Sequence, residues 1–159
     1  MGKILYEIHF FFEPMLIIPV VMFAATFFLP QALSNRDENA DPTYVKRFCI
    51  FARWFIAVLT IIASASQIFM YTEISDAYKN GDYFTVEGVV ENFSTGQRKE
   101  NFMINDVEFS YSDTNVVQGY HRMKKSGGVI NGDGQHLKIG YVYYNNTYGN
   151  IIVYIEELP

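Results

Sequence analysis

The sequence predicts a membrane α-helical part joined to a small all-β domain: two transmembrane helices followed by a five-stranded barrel of the OB or SH3-like kind. Two observations set the first half. The stretches Phe10 to Leu33 and Phe48 to Met70 carry few charges, in a chain of 159 residues of which 50% are hydrophobic and 17% aromatic. A third sets the second half, because from Asp82 onward the apolar residues alternate with polar ones in the period of a strand. So uneven a distribution argues against one soluble core.

Residues 1–13, "MGKILYEIHFFFE", place Ile4, Leu5, Ile8, Phe11 and Phe12 at helical spacing. That spacing predicts a short interfacial helix lying on the membrane. The first transmembrane helix is expected over 14–33. "PMLIIPVVMFAATFFL" has no charge, Glu13-Pro14 suits a helix start, and Pro19 should bend the helix. It reads as a retained helix. Only Lys3 precedes it as a basic residue, Glu7 and Glu13 follow, and no small-x-small cleavage site comes after Leu29. Two buried helices of a soluble bundle are the competing reading, and the remaining chain is too small to cover both all round.

A loop over 34–47 and a second transmembrane helix over 48–71 follow. The connecting region carries Arg36, Lys46, Arg47 and Arg53, whereas the other side offers Lys3 and Lys79. The charge rule therefore predicts a cytoplasmic loop, with the N-terminus and the C-terminal domain outside. In the second helix Ala63, Ser64, Ser66 and Gln67 form a small, hydroxylated stretch. It is expected to pack against another helix or another copy, or to line a pore in an oligomer. The sole cysteine, Cys49, stands at the cytoplasmic end of that helix, so the outer domain has no disulfide framework.

The β domain is expected over 82–159. Phe84, Val86, Gly88 and Val90 share one face of a first strand, and Asn105-Asp106 joins the second and third strands as a tight hairpin. Leu137, Ile139, Tyr141 and Tyr143 mark the fourth strand, and Ile151, Val153 and Ile155 the fifth. Five short strands must close on themselves or expose edges, and closure is the economical answer. The longest connection, Ser112 to Gln135, has room for a short helix and contains "YHRMKKSGGVINGDG".

No residue pattern carries catalysis. His9, His121 and His136 are scattered, with no ligand pair at helical spacing, and neither a nucleophile elbow nor a phosphate loop occurs. No catalytic, cofactor-binding or metal-binding residue is therefore assigned. Tyr111-Ser112-Asp113 reads as a turn cap. Asn92-Phe-Ser and Asn145-Asn-Thr match glycosylation acceptors, which matter only in a eukaryotic secretory host. His121, Arg122, Lys124 and Lys125 form the candidate contact patch. From Asp82 onward six Lys or Arg stand against ten Asp or Glu, a poor footprint for nucleic acid. The remaining partners for the patch are lipid headgroups or a protein, and a plain solvated loop is the simplest reading of the whole connection.

The order "VEGVVENF", "ENFMINDVEFSYSD", "GGVI", "LKIGYV" and "NIIVYIEE" resembles that of a set of small bacterial membrane proteins, in which apolar segments precede a short β domain. Proteins of the NfeD type offer an architectural analogy, joining membrane helices to an OB domain. The resemblance implies this architecture rather than an activity, in a bacterial inner membrane, and the charge rule above places the β domain on the periplasmic or extracellular side. The resulting expectation is a non-enzymatic, membrane-anchored binding or assembly component whose barrel contacts a protein partner or the membrane surface. A homo-oligomeric channel lined by the second helix and a toxin-immunity membrane protein are the alternatives.

Overall fold

The computed structural model describes residues 2–9, 17–25, 27–28, 42–115 and 117–159. The chain forms two compact units, one of Met1–Phe11 with Phe69–Pro159 and one of Phe12–Ile68. The described elements are β1 (Lys3–Glu7), α1 (Ile17–Ala25), α2 (Pro42–Asn80), β2 (Phe84–Val89), β3 (Glu91–Thr95), β4 (Glu100–Ile104), β5 (Val107–Tyr111), β6 (His136–Asn145) and β7 (Gly149–Glu157). A single turn of 3-10 helix, Lys124–Ser126, lies between β5 and β6.

Among the described residues one helix, Thr43–Asn80, is long and apolar enough to cross a membrane. It begins at Pro42, six residues before the expected start at 48, and continues to Asn80, nine beyond the expected end at 71. Gly81 closes it in a left-handed conformation (φ 78°). The Asp82 amide bonds Ala77 O at 2.8 Å and the Gly81 amide bonds Tyr78 O at 3.2 Å, the paired pattern that satisfies orphan carbonyls at a helix end. Of the helix expected over 14–33, the described residues include only the nine of α1. The rest of it, and most of the loop expected over 34–47, lie outside the described residues.

Within the unit 12–68, α2 carries its large apolar residues outward. Phe48, Phe51, Trp54, Phe55, Val58, Leu59, Ile61 and Ile62 are exposed on one half of its circumference. The partly buried half holds Ala52, Arg53, Ile56, Ala57, Thr60, Ala63, Ser64 and Gln67. Arg53 stacks its guanidinium over the Phe27 ring at 4.0 Å. Thr60 and Ser66 return their hydroxyls to the carbonyls of Ile56 and Ile62, at 2.8 and 2.9 Å. Their polar atoms are thus satisfied inside the helix, as in an apolar medium.

The β part differs from the expected closed barrel of five strands. It has two open antiparallel sheets among the described residues, ordered β1-β7-β6-β2 and β3-β4-β5. Three physical causes account for the difference. The first predicted strand breaks at Val90, whose amide turns to Gln135 O (2.9 Å) and whose carbonyl takes the Gly134 amide (3.0 Å), so that β2 and β3 serve different sheets. The second cause is the N-terminal segment. Instead of an interfacial helix, Lys3–Glu7 pairs antiparallel with β7, with a register shift between Ile4 and Tyr6. The bulge lets the adjacent Leu5 and Tyr6 both pack on the core, which imitates helical spacing in the sequence. Third, the long connection bonds β7 where no strand does, with the Tyr120 amide on Ile152 O at 2.8 Å, and β7 has β1 and β6 as its strand neighbours.

The hairpin at Asn105-Asp106 is as the sequence predicts. Both residues adopt positive φ (45° and 66°), and Ile104 pairs with Val107 across the turn. The main core gathers Phe102, Ile104, Phe109, Tyr111, Leu137, Ile139, Ile152 and Ile155 with Tyr120, Met123 and Ile130 of the long connection. Phe102 and Phe109 stack at 5.0 Å. A second cluster joins Ile74 of α2 to Val117, Ile151 and Val153, with Met70, Tyr78 and Tyr144 beside it. The last turns of α2 are therefore part of the β unit, and so is β1, tied by Tyr78 Oη donating to Glu7 Oε1 at 2.9 Å.

Candidate functional site

The connection 112–135 is not a plain solvated loop. Val117, Gln118, Tyr120, Met123 and Ile130 are all buried, and the segment acts as a plug for the core. Two carboxylates hold it. Glu100, only 1% exposed, accepts the Lys124 amide on both oxygens at 3.0 and 3.1 Å. Asp113 accepts the Met123 amide at 2.7 Å and the Ser126 hydroxyl at 2.6 Å. Together they cap the 3-10 turn that carries Lys124 and Lys125. Asp113 is thus a cap, but for backbone ten residues ahead rather than for its own turn. Ser112 takes the local role, its hydroxyl bonding the Arg98 carbonyl and accepting the Thr114 amide at 3.2 Å.

These contacts fix the protonation of the groups around the loop. Burial disfavours ionised Asp113, but the Ser126 hydroxyl, the Met123 amide and the charges of Lys125 and His121 outweigh it, and hold the carboxyl below the usual range. Burial first, and then contact with the Glu100 carboxylate, pushes the Tyr111 hydroxyl far up, so that it stays neutral.

The predicted patch lies on this plug. His121 Nδ1 donates to Gly119 O at 2.9 Å, and Arg122 is exposed. Lys124 Nζ bonds Asn131 O and stands 5.9 Å from the Phe93 ring, and Lys125 Nζ bonds Gln97 O at 3.2 Å. The last contact brings in two residues that sequence reasoning missed. Arg98 and Lys99, in the β3–β4 turn, are exposed and adjacent to the 3-10 turn through Gln97 and Glu100. Five of the six Lys and Arg beyond Asp82 thereby gather at one end of the β unit, the sixth being Lys138. "QRKE" at 97–100 gave a weak signal for this, being the other basic pair in an acidic domain.

In the helical unit Ala63, Ser64 and Gln67 share the partly buried face of α2, whereas Ser66 is exposed and bonds its own helix. His9 Nδ1 donates to Glu7 O at 3.1 Å. Among the described residues no group of three His, Cys, Asp or Glu is arranged to hold a metal ion. The cavity beside Tyr111, Gln118 and Tyr120 measures about 20 Å³, room for a water molecule. The arrangement offers a rigid, positively charged end, suited to recognition of anionic groups. Comparison with protein-family models, with curated proteins and with solved structures finds no match.

Proposed function

We propose that the protein is a membrane-anchored binding component. Its apolar helices hold it in a bacterial inner membrane, and its β unit stands outside the cytoplasm and offers the basic end to an acidic surface of a protein partner. One observation carries the membrane part: between Phe48 and Ile62 all the large apolar side chains of α2 but Ile50 and Ile56 form one exposed face, while Ala52, Arg53, Ala57 and Thr60 are partly buried beside Ile56. A soluble helix does the reverse, and the inverted arrangement is the one lipid favours. Lys46, Arg47 and Arg53 near one end of α2, against Lys79 at the other, favour a cytoplasmic start.

The pairing of β1 with β7 supports two crossings. Both ends of the chain join one sheet, so a crossing by α2 has to be balanced by another between His9 and Pro42. The apolar stretch 14–33 is the segment available for it. A C-terminal fusion to a reporter active only outside the cytoplasm tests the reading. Activity in the membrane fraction, resistant to alkaline extraction, is the expected result. A reporter active only in the cytoplasm overturns the orientation, and loss of the chain from the membrane on extraction overturns the anchor.

A further inference from the structure

We infer that the β6–β7 hairpin, through Tyr143, Tyr144 and Tyr148, is a lipid-contacting surface at the headgroup level of the bilayer that α2 crosses. The inference rests on the membrane reading and adds a second, non-helical contact to it. α2 carries no Asp, Glu, Lys or Arg from Trp54 to Thr72, bounded by Arg53 and Glu73. At 1.5 Å per residue that run spans roughly 28 Å, close to the ~30 Å of a bilayer hydrocarbon core. Glu73 therefore marks the level where the helix leaves hydrocarbon, with Tyr71 half a turn below it and Trp54 at the opposite boundary, as in an aromatic belt.

The hairpin is brought to that level by contacts inside the β unit. Tyr144 sits against the Glu73 carboxylate, which adds to burial in pushing its hydroxyl pKa up. Met70, Val142 and Tyr144 pack on the same small cluster as Ile74. Around this point the sequence is uncharged from Ile139 to Ile155, although the domain as a whole is acidic. Tyr143 is 53% exposed and Tyr148 39%, and the Tyr144 and Tyr148 rings lie 6.2 Å apart. The turn itself is rigid, because Asn145 Oδ1 accepts the Thr147 and Tyr148 amides at 2.9 and 3.0 Å. Exposed tyrosines on a rigid, uncharged turn suit a zone where a ring meets acyl chains and a hydroxyl meets headgroups. A protein partner would find the same rings, but Phe69, an exposed ring on the part of α2 that belongs to the hairpin's own unit, and the uncharged run that ends at Thr72 make lipid the occupant.

The test uses the full chain in phosphatidylcholine–phosphatidylglycerol vesicles, with Cys49→Ala as background. Single cysteines at Tyr148→Cys, Tyr143→Cys, Ile62→Cys and Gln97→Cys carry an environment-sensitive fluorophore, quenched by lipids spin-labelled in the headgroup or deep in the chain. The expected result is deep quenching at 62. At 148 and 143 headgroup quenching should be severalfold greater than at 97, with a blue-shifted emission. Deep quenching at 62 with no excess at 148 and 143 over 97 overturns the hairpin contact and leaves the anchor standing. Absence of deep quenching at 62 overturns the anchor and the inference together. The 143 label carries the readout if the 148 variant misfolds.

Discussion

Glu100 and Asp113 are the residues on which the basic end depends. Truncating Glu100, itself buried, takes both acceptors from the Lys124 amide and leaves a space in the core edge, a loss of about 1–3 kcal/mol, so Glu100→Ala should lower the denaturation midpoint while Lys99→Ala, at an exposed side chain, leaves it unchanged. Asp113 gives a pH dependence of definite sign. Its folded pKa lies below the unfolded value of about 3.9, so its contribution is present above that value and is lost as pH falls through the lower folded value. The protection of the Met123 amide from exchange, taken relative to the intrinsic rate at each pH, should fall on acidification below about pH 4, and Asp113→Asn should remove that acid step. Gly128 is a third such position. A Cβ there would overlap the Arg122 carbonyl oxygen and the Tyr120 hydroxyl, both fixed by the fold. Gly128→Ala should therefore destabilise by about 1–3 kcal/mol, as chemical denaturation would register. The sequence revealed Lys124 and Lys125 as a cluster but not Arg98 and Lys99, because that proximity comes from a long-range bond between Lys125 and Gln97. The same reason hid the true partners of Asp113.

At the scale of elements, local signals were legible where a single segment decides its own geometry. The Asn105-Asp106 turn, the strands on either side of it and the apolar run of α2 all belong to this class. The sequence failed where neighbours decide. β1 looked helical because its bulge breaks the period of two, and only the free edge of β7 makes it a strand. Val90 looked like the end of one strand, but the carbonyl of Gln135 turns it into a corner between sheets. The connection 112–135 looked polar because its buried residues, Val117, Tyr120, Met123 and Ile130, are spaced without a regular period. Element-scale packing gives its own prediction. Phe109 is fully buried and stacked on Phe102, so Phe109→Ala should cost about 3–5 kcal/mol and unfold the β unit under conditions where Phe84→Ala, at an exposed ring, does not.

For the whole molecule, the β unit holds more than residues 82–159. It takes in β1 from the N-terminus and the final turns of α2. A fragment of 82–159 alone lacks the strand that covers one edge of β7 and the Ile74 side chain that fills the second cluster. That fragment should be aggregation-prone and poorly protected from amide exchange. Residues 2–9 joined by a flexible linker to 69–159 should restore a cooperative transition. The same sharing of one sheet by both ends of the chain underlies the central claim, that α2 crosses the bilayer and the chain crosses once more before it. The most direct measurement is the sidedness of the two termini in sealed, right-side-out membrane vesicles, read with an impermeant label at cysteines introduced by Lys3→Cys and Pro159→Cys in the Cys49→Ala background. Labelling of both from outside without detergent is the predicted result. Labelling of one terminus only, or of neither until the vesicles are opened, would contradict the account.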